Sequence, residues 1–348
     1  MRRRAIAYGL ISAALFGAST PLAKLLLGEI PPLLLAAVLY LGSGVGLLGW
    51  LVVRRVLGRA QFASLSGSYF LWLIAAITAG GVVAPVLLVF GLVRTGAGVA
   101  SLLLNLEAVL TALIAWVAFR ENVDRRVFLG MAMIVAGGVL LSWHELPRAG
   151  GLAGPLLIAC ACLAWALDNN LTRRISGGDA ATIACLKGLV AGSVNAALAV
   201  ALGATLPPAP ALAAAALVGF LGYGVSLVLF IIALRHLGTA RTGAYFSVAP
   251  FFGAALSLLL LGEQTSPPFW FAAALMAFGV WLHVSERHEH EHAHEPMDHT
   301  HPHVHDEHHL HEHEAGWDGR EPHVHPHRHP RHTHSHPHYP DLHHRHRH

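Results

Sequence analysis

Ten apolar runs, each about as long as a bilayer is thick, occupy most of the chain before residue 285. A helix needs about 20 mainly apolar residues to cross the hydrocarbon core. The runs lie near 5–27, 33–53, 69–93, 97–119, 126–143, 152–172, 180–203, 211–234, 239–261 and 268–284. Lipid offers backbone N–H and C=O groups no water, so each run is predicted to be a helix. Pro31-Pro32, Arg54-Arg55, Arg173-Arg174, Pro207-Pro208 and Gly262-Glu263 are among the breaks between them. The start, Arg2-Arg3-Arg4 and an apolar stretch, resembles a signal peptide. It runs to Leu27 without a clear cleavage site, which predicts a retained first helix.

Composition agrees. Only 12% of residues are charged, against about 25% in soluble domains. The mean hydropathy is +0.53. Residues 285–348 are a different material: they hold 24 of the 27 histidines, with 12 acids and 6 arginines. The preceding residues carry 17 basic side chains and 8 acids. That basic excess sits in short clusters between spans, which argues against a nucleic-acid surface. It fits the positive-inside rule instead. With the N-terminus in the cytoplasm, Arg54, Arg55, Arg59, Arg120, Arg125, Arg126, Arg173, Arg174, Arg235 and Arg241 all fall inside, and only Arg94 and Arg148 fall outside. Ten spans then return the chain to the cytoplasm. The reading is a multi-pass bacterial inner-membrane protein with both termini cytoplasmic. The three cysteines, Cys160, Cys162 and Cys185, lie inside apolar runs and imply no disulfide framework.

The second half echoes the first. RTGAGVASLLLNLEAVLTALIAWVAFREN (94–122) aligns without gaps on HLGTARTGAYFSVAPFFGAALSLLLLGEQ (236–264), an offset of 142. It matches Gly96 with Gly238, Ala112 with Ala254, Glu121 with Glu263 and, further on, Gly137 with Gly279. Five spans per copy is an odd number, so the copies take opposite orientations. Inverted repeats mark transporters, whose substrate site lies between the halves near the midplane. The expected fold class is therefore all-α integral membrane, with ten transmembrane helices as two inverted five-helix repeats. The expected units are 1–147, 148–284 and a tail, 285–348.

These stretches resemble the drug/metabolite transporter superfamily, specifically the EamA family of ten-helix permeases. The resemblance covers residues 5–284. It rests on NLEAVLTALIAWVAFREN, its partner SVAPFFGAALSLLLLGEQ, Lys24 closing the first span, and the Gly-rich fifth and tenth spans. Many members carry a basic residue early in the second and seventh spans. Lys187 fits the seventh, and Tyr40 occupies the second. The resemblance implies a permease rather than an enzyme.

An ionisable group inside a span is expensive, about 2.5–3.5 kcal/mol on insertion scales, so it is a functional candidate by default. Glu107 lies near the middle of span four and Lys187 within span seven. Asp168 lies toward the inner end of span six, close to the expected interface, followed by Asn169 and Asn170. Two ion pairs are open, Glu107–Lys187 and Asp168–Lys187. Glu107 and Lys187 are expected at the central site, where one of them couples transport to protons. Asn169, Asn170, Asn195, Tyr223, Ser226 and Tyr245 are candidates for lining a cavity or for bonding helix to helix. Lys24 is expected to snorkel at the outer boundary. Gly42-Ser-Gly-Val-Gly46 is read as a site of close helix packing, since no strand precedes it. Trp50, Trp72, Trp143, Trp270 and Trp281 stand near span ends, where interfacial anchors belong.

The tail repeats His-x-His with Glu, Asp, Pro and Arg between. It has too few apolar residues for a core and is expected to be disordered. Neutral imidazole is the commonest protein ligand for first-row metals. The tail, beginning with His288, His290, His292, His294, His299, His301, His303 and His305, is expected to bind Zn, Ni or Co. His288-Glu-His-Glu-His292 matches HExxH by composition alone. The expected function is a secondary transporter, an exporter of small solutes working by alternating access in the lipid bilayer without a required cofactor. A divalent-metal exporter, and a non-transporting membrane metal buffer or sensor, are the alternatives. A homodimer stays open.

Overall fold

A computed structural model describes residues 2–57, 67–119, 125–145, 151–173, 175, 179–237, 239–284, 289–294, 297–303, 323–329 and 332–337. Before the tail the regular structure is helical. In chain order the helices are α1 (Arg2–Leu26), α2 (Pro32–Val56), α3 (Gly67–Ala76), α4 (Ala84–Arg94), α5 (Ala97–Leu103), α6 (Asn105–Phe119), α7 (Arg125–Glu145), α8 (Ala153–Arg173), α9 (Ala180–Ala201), α10 (Ala209–Gly219), α11 (Ser226–Leu237), α12 (Thr239–Phe246), α13 (Ala249–Leu261) and α14 (Pro267–Val284). Among the described residues, eight stretches are long and apolar enough to cross a membrane, and α13 and α14 are shorter apolar helices.

Several predicted spans are not plain α-helices. A π-helical segment, Ile77–Val83, joins α3 to α4, and a second, Phe220–Val225, joins α10 to α11. Leu104 separates α5 from α6, and Ser247 and Val248 separate α12 from α13. Shifting the first set of irregularities by 142 residues brings each within one residue of its counterpart in the second. The repeat in the sequence thus recurs in the backbone, down to the places where it departs from the ideal.

The packing repeats too. α2 lies along α9 and α7 along α14, each the counterpart of its neighbour in the other half. α1 packs on α11 and α13, and α8 packs correspondingly on α4 and α6. Small residues bring these backbones together. A Cβ on Gly44 would stand 2.4 Å from Leu189 N, and one on Gly188 would stand 2.5 Å from Gly44 N. The Gly42–Gly46 stretch is therefore a packing stripe, as its sequence suggests. The matched Gly137 and Gly279 both sit between α7 and α14, against Met276 and Gly130 respectively. Large apolar side chains cover the outside, and all five predicted anchor tryptophans are exposed there. Such a surface suits lipid.

Four short strands, β1 (Glu289–His294), β2 (Met297–His303), β3 (His323–His329) and β4 (His332–Pro337), form two antiparallel pairs, β1 with β4 and β2 with β3. The physical reason is periodicity. His-x-His alternates with the period of two that a strand requires, and strand pairing satisfies the backbone without an apolar core.

Candidate functional site

The site is built on α8. Along that helix Trp165, Asp168, Asn169 and Thr172 fall three or four residues apart, so they share a face. Trp165, Asp168 and Thr172 are buried. A helix this polar is stable in lipid only if neighbouring helices supply partners.

They do. Lys187 of α9 donates to both oxygens of Asp168, at 2.6 and 2.7 Å, and to Thr172 Oγ1 at 3.2 Å. Thr172 Oγ1 donates to Asp168 Oδ1 at 2.8 Å. Of the two ion pairs open in the sequence, the structure forms Asp168–Lys187. Asp168 is 6% exposed. Its carboxylate reaches its depth because Gly80, in the first π-helical segment, leaves room: a Cβ there would stand 1.9 Å from Asp168 Oδ2. The Gly80 carbonyl in turn accepts from Tyr40 Oη at 2.6 Å and from Trp165 Nε1 at 3.0 Å. Gly81 O accepts from Asn195 Nδ2 at 3.1 Å. A π-helical turn breaks the regular i to i−4 ladder, and both glycine carbonyls of this one are used by side chains of other helices.

Glu107 lies in the first turn of α6, just past the Leu104 break. The positive end of a helix dipole favours a carboxylate there. Its side chain accepts from Asn169 Nδ2 at 2.8 Å, and it is only partly buried. It stands within electrostatic reach of Asp168 and Lys187, and of Tyr40 and Tyr223. Asn170 Nδ2 turns to backbone instead, donating to Ala166 O at 2.8 Å and Thr111 O at 3.3 Å. Above this cluster the rings of Phe16, Trp165, Tyr223 and Phe246 gather. Phe16 is 5.9 Å from Trp165, 5.8 Å from Tyr223 and 5.3 Å from Phe246, and Tyr40 is 5.3 Å from Tyr223.

Of the residues singled out in the sequence, the structure brings Glu107, Asp168, Asn169, Asn170 and Lys187 into one neighbourhood. Tyr245 is elsewhere, packed with the Ala5–Ala233 cluster and beside Gly9; its neighbour Phe246 faces the rings. Ser226 bonds Ser12 across α11 and α1 at 2.7–3.1 Å. Lys24 donates to Leu92 O and, at 3.0 Å, to Thr95 O, closing the end of α4. His290, His292, His294, His299, His301 and His303 fall in the tail strands, while His288 and His305 lie outside the described residues. Tyr40, Gly80, Thr111, Trp165 and Thr172 escape a reading based on charge, because neutral aromatic and small residues are ordinary core.

A second contact joins the halves at one mouth of the bundle. The Glu263 carboxylate accepts from Ala97 N at 2.6 Å and Gly98 N at 2.8 Å. It thereby satisfies the otherwise free amides at the start of α5. Its sequence counterpart, Glu121, lies outside the described residues.

A family model described as "EamA-like transporter family" matches residues 3–143 and again 152–285. The chain belongs to the EamA-like transporter family. An uncharacterized transporter of Methanothermobacter thermautotrophicus is 30% identical over 298 residues, covering 81% of this chain and 87% of that one. A probable 4-amino-4-deoxy-L-arabinose-phosphoundecaprenol flippase subunit, ArnE, of Pseudomonas fluorescens is 45% identical over 51 residues, covering 15% of this chain and 45% of that one. A solved crystal structure has the same fold, with a TM-score of 0.60 and 21% identity over 81% of this chain and 96% of that one. This EamA-like protein is a multi-pass membrane transporter.

Proposed function

We propose that this EamA-like protein is a proton-coupled secondary transporter of small solutes, an exporter in the inner membrane, with ten spans in two inverted halves and both termini cytoplasmic. The observation that carries it is the division of charge at the centre. Asp168 and Lys187 neutralise each other. Glu107 has a neutral partner, Asn169, and stays partly accessible. A carboxylate in that position can take up and release a proton without dismantling the ion pair beside it. The doubled family match and the 142-residue recurrence of the helix breaks support the inverted halves. The broken helices at Leu104 and Ser247 resemble the discontinuous helices that form midplane sites. The surrounding rings of Phe16, Trp165 and Tyr223 suit solutes with an apolar part.

The test is reconstitution with a pH dye sealed in the liposomes. A panel of amino acids, polyamines and organic amines is added under an imposed pH gradient. A member of the panel evokes a lumenal pH change with wild type and none with Glu107→Gln, which still binds that solute. Equal solute-evoked proton movement in Glu107→Gln overturns the coupling role.

A further inference from the structure

Two residues, Thr95 and Gly96, connect α4 to α5, and both are extended. A turn between two spans at the end of a bundle usually faces water. Here Thr95, Ala97 and Gly98 are buried. The turn is gripped from two sides by opposite charges. On the α4 side the Lys24 ammonium of α1 donates to Leu92 O and, at 3.0 Å, to Thr95 O. On the α5 side the Glu263 carboxylate accepts from Ala97 N at 2.6 Å and Gly98 N at 2.8 Å. A cation meets carbonyls at a helix end and an anion meets amides at a helix start, as helix polarity favours. Lys24 belongs to the same half of the chain as the turn. Glu263 is the grip that comes from the other half.

Both sides of the Glu263 contact are shaped for it. The chain leaves α13 through Gly262 in the left-handed region, at φ 59°, and Glu263 is the next residue. Across from it, a Cβ on Gly98 would stand 3.0 Å from Glu263 Oε2, and one on Gly96 would stand 3.4 Å from both carboxylate oxygens. A side chain at 98 would crowd the carboxylate off the amides.

The two ends of α5 are held by different forces. The deep end is locked by packing: a Cβ on Gly253 of α13 would stand 2.7 Å from both Ser101 Oγ of α5 and Gly17 O of α1. The mouth end is held by two hydrogen bonds to one carboxylate. Water does not replace close packing, but amides released from Glu263 can bond water at the mouth. α5 is the first part of the broken span four, and Glu107 stands just past the Leu104 break. A swing of α5 about Ser101 and that break opens the mouth while α6 keeps Glu107 in place. We infer, given the alternating access proposed above, that Glu263 is the latch of this mouth: its carboxylate closes the passage between the halves by pinning the end of α5, and the passage opens when that contact breaks.

Cys162 provides the reporter. It is buried in α8, and its thiol donates to Leu103 O at 3.7 Å, beside the break. Cys160→Ser and Cys185→Ser leave it as the one thiol of the parent chain. A membrane-impermeant maleimide is applied to the full chain in sealed right-side-out and inverted vesicles. A further variant, Gln264→Cys with Cys162→Ser, marks which side the mouth faces, since Gln264 is exposed next to Glu263. Glu263→Ala is expected to raise the labelling rate of Cys162 from the mouth side about tenfold, the shift that loss of a capping carboxylate gives, and to lower it from the opposite side. Gly98→Ala, which keeps Glu263 but crowds it, is expected to act in the same direction, and Glu263→Gln to fall between. A bundle that is merely loosened reacts faster from both sides, and that result overturns the latch. So does a mouth-side rate that Glu263→Ala leaves unchanged. In that case parent labelling from both sides keeps alternating access standing without the latch, and labelling from one side or none removes alternating access as well.

Discussion

Lys187 Nζ lies 2.6 and 2.7 Å from the two carboxylate oxygens of Asp168, and both side chains are at most 9% exposed. Neither charge has water to fall back on. Removing one partner strands the other, which typically costs about 3–5 kcal/mol. Asp168→Asn and Lys187→Met are each expected to lower thermal stability in detergent sharply. The double variant, which leaves no unpaired charge, is expected to recover much of the loss. A double variant no better than the worse single one would show that the pair is not the relevant unit.

Gly80 tests the same site from its other side. A methyl group there would overlap Asp168 Oδ2. The Gly80 carbonyl also anchors Tyr40 and Trp165, so the methyl's neighbours are themselves held. Gly80→Ala is expected to destabilise the protein by about 1–3 kcal/mol, as overpacking of a close-packed site does. Trp165 indole fluorescence is expected to shift as its hydrogen bond lengthens. Gly49, with nothing near its Cβ position, is the control, and Gly49→Ala is expected to leave both readouts in place.

The spans were legible because bilayer thickness imposes a length on apolar runs, and no packing detail changes that. The repeat was legible because it preserves glycines where helices touch, as at Gly137 and Gly279. The room for the Asp168 carboxylate was not legible, because it is left by Gly80, 88 residues earlier, in a different helix. The choice between Glu107 and Asp168 as partner of Lys187 likewise depends on how α8 is turned against α9. Tyr245 and Phe246 are adjacent, and only the rotation of α12 decides which ring joins Phe16. The π-helical segments had a trace in the sequence, the close glycines at 80 and 81 and at 222 and 224. Glycine spacing alone does not separate a π turn from a packing stripe.

Glu263 holds the start of α5 from the opposite half of the chain. Loss of a capping side chain costs about 0.5–2 kcal/mol. Glu263→Ala is expected to speed hydrogen exchange at the Ala97 and Gly98 amides selectively, while amides along α9 keep their protection. Glu263→Gln retains one acceptor and is expected to be intermediate. Protection unchanged at both amides in Glu263→Ala would show that other groups satisfy the start of α5.

The orientation of the whole bundle can be tested with reporters, and the inverted halves stand or fall with it. The loop charges place Arg54, Arg173 and Arg235 on one side of the membrane and Arg94 on the other. Lys24, at the far end of α1 from Arg2 to Arg4, bonds the last carbonyls of α4, so the ends of spans one and three share a side. Glu263 and the start of α5 share that side as well. If it is the outer side, a cytoplasm-active reporter fused after His348 is active and one fused at Gly203, between α9 and α10, is silent. A periplasm-active reporter gives the reverse pattern at the same two points. Three spans separate Gly203 from His348 only if the two points report opposite sides. The same reporter active at both would require one span more or fewer between them, and would remove the inverted relation that matches α2 to α9 and α7 to α14.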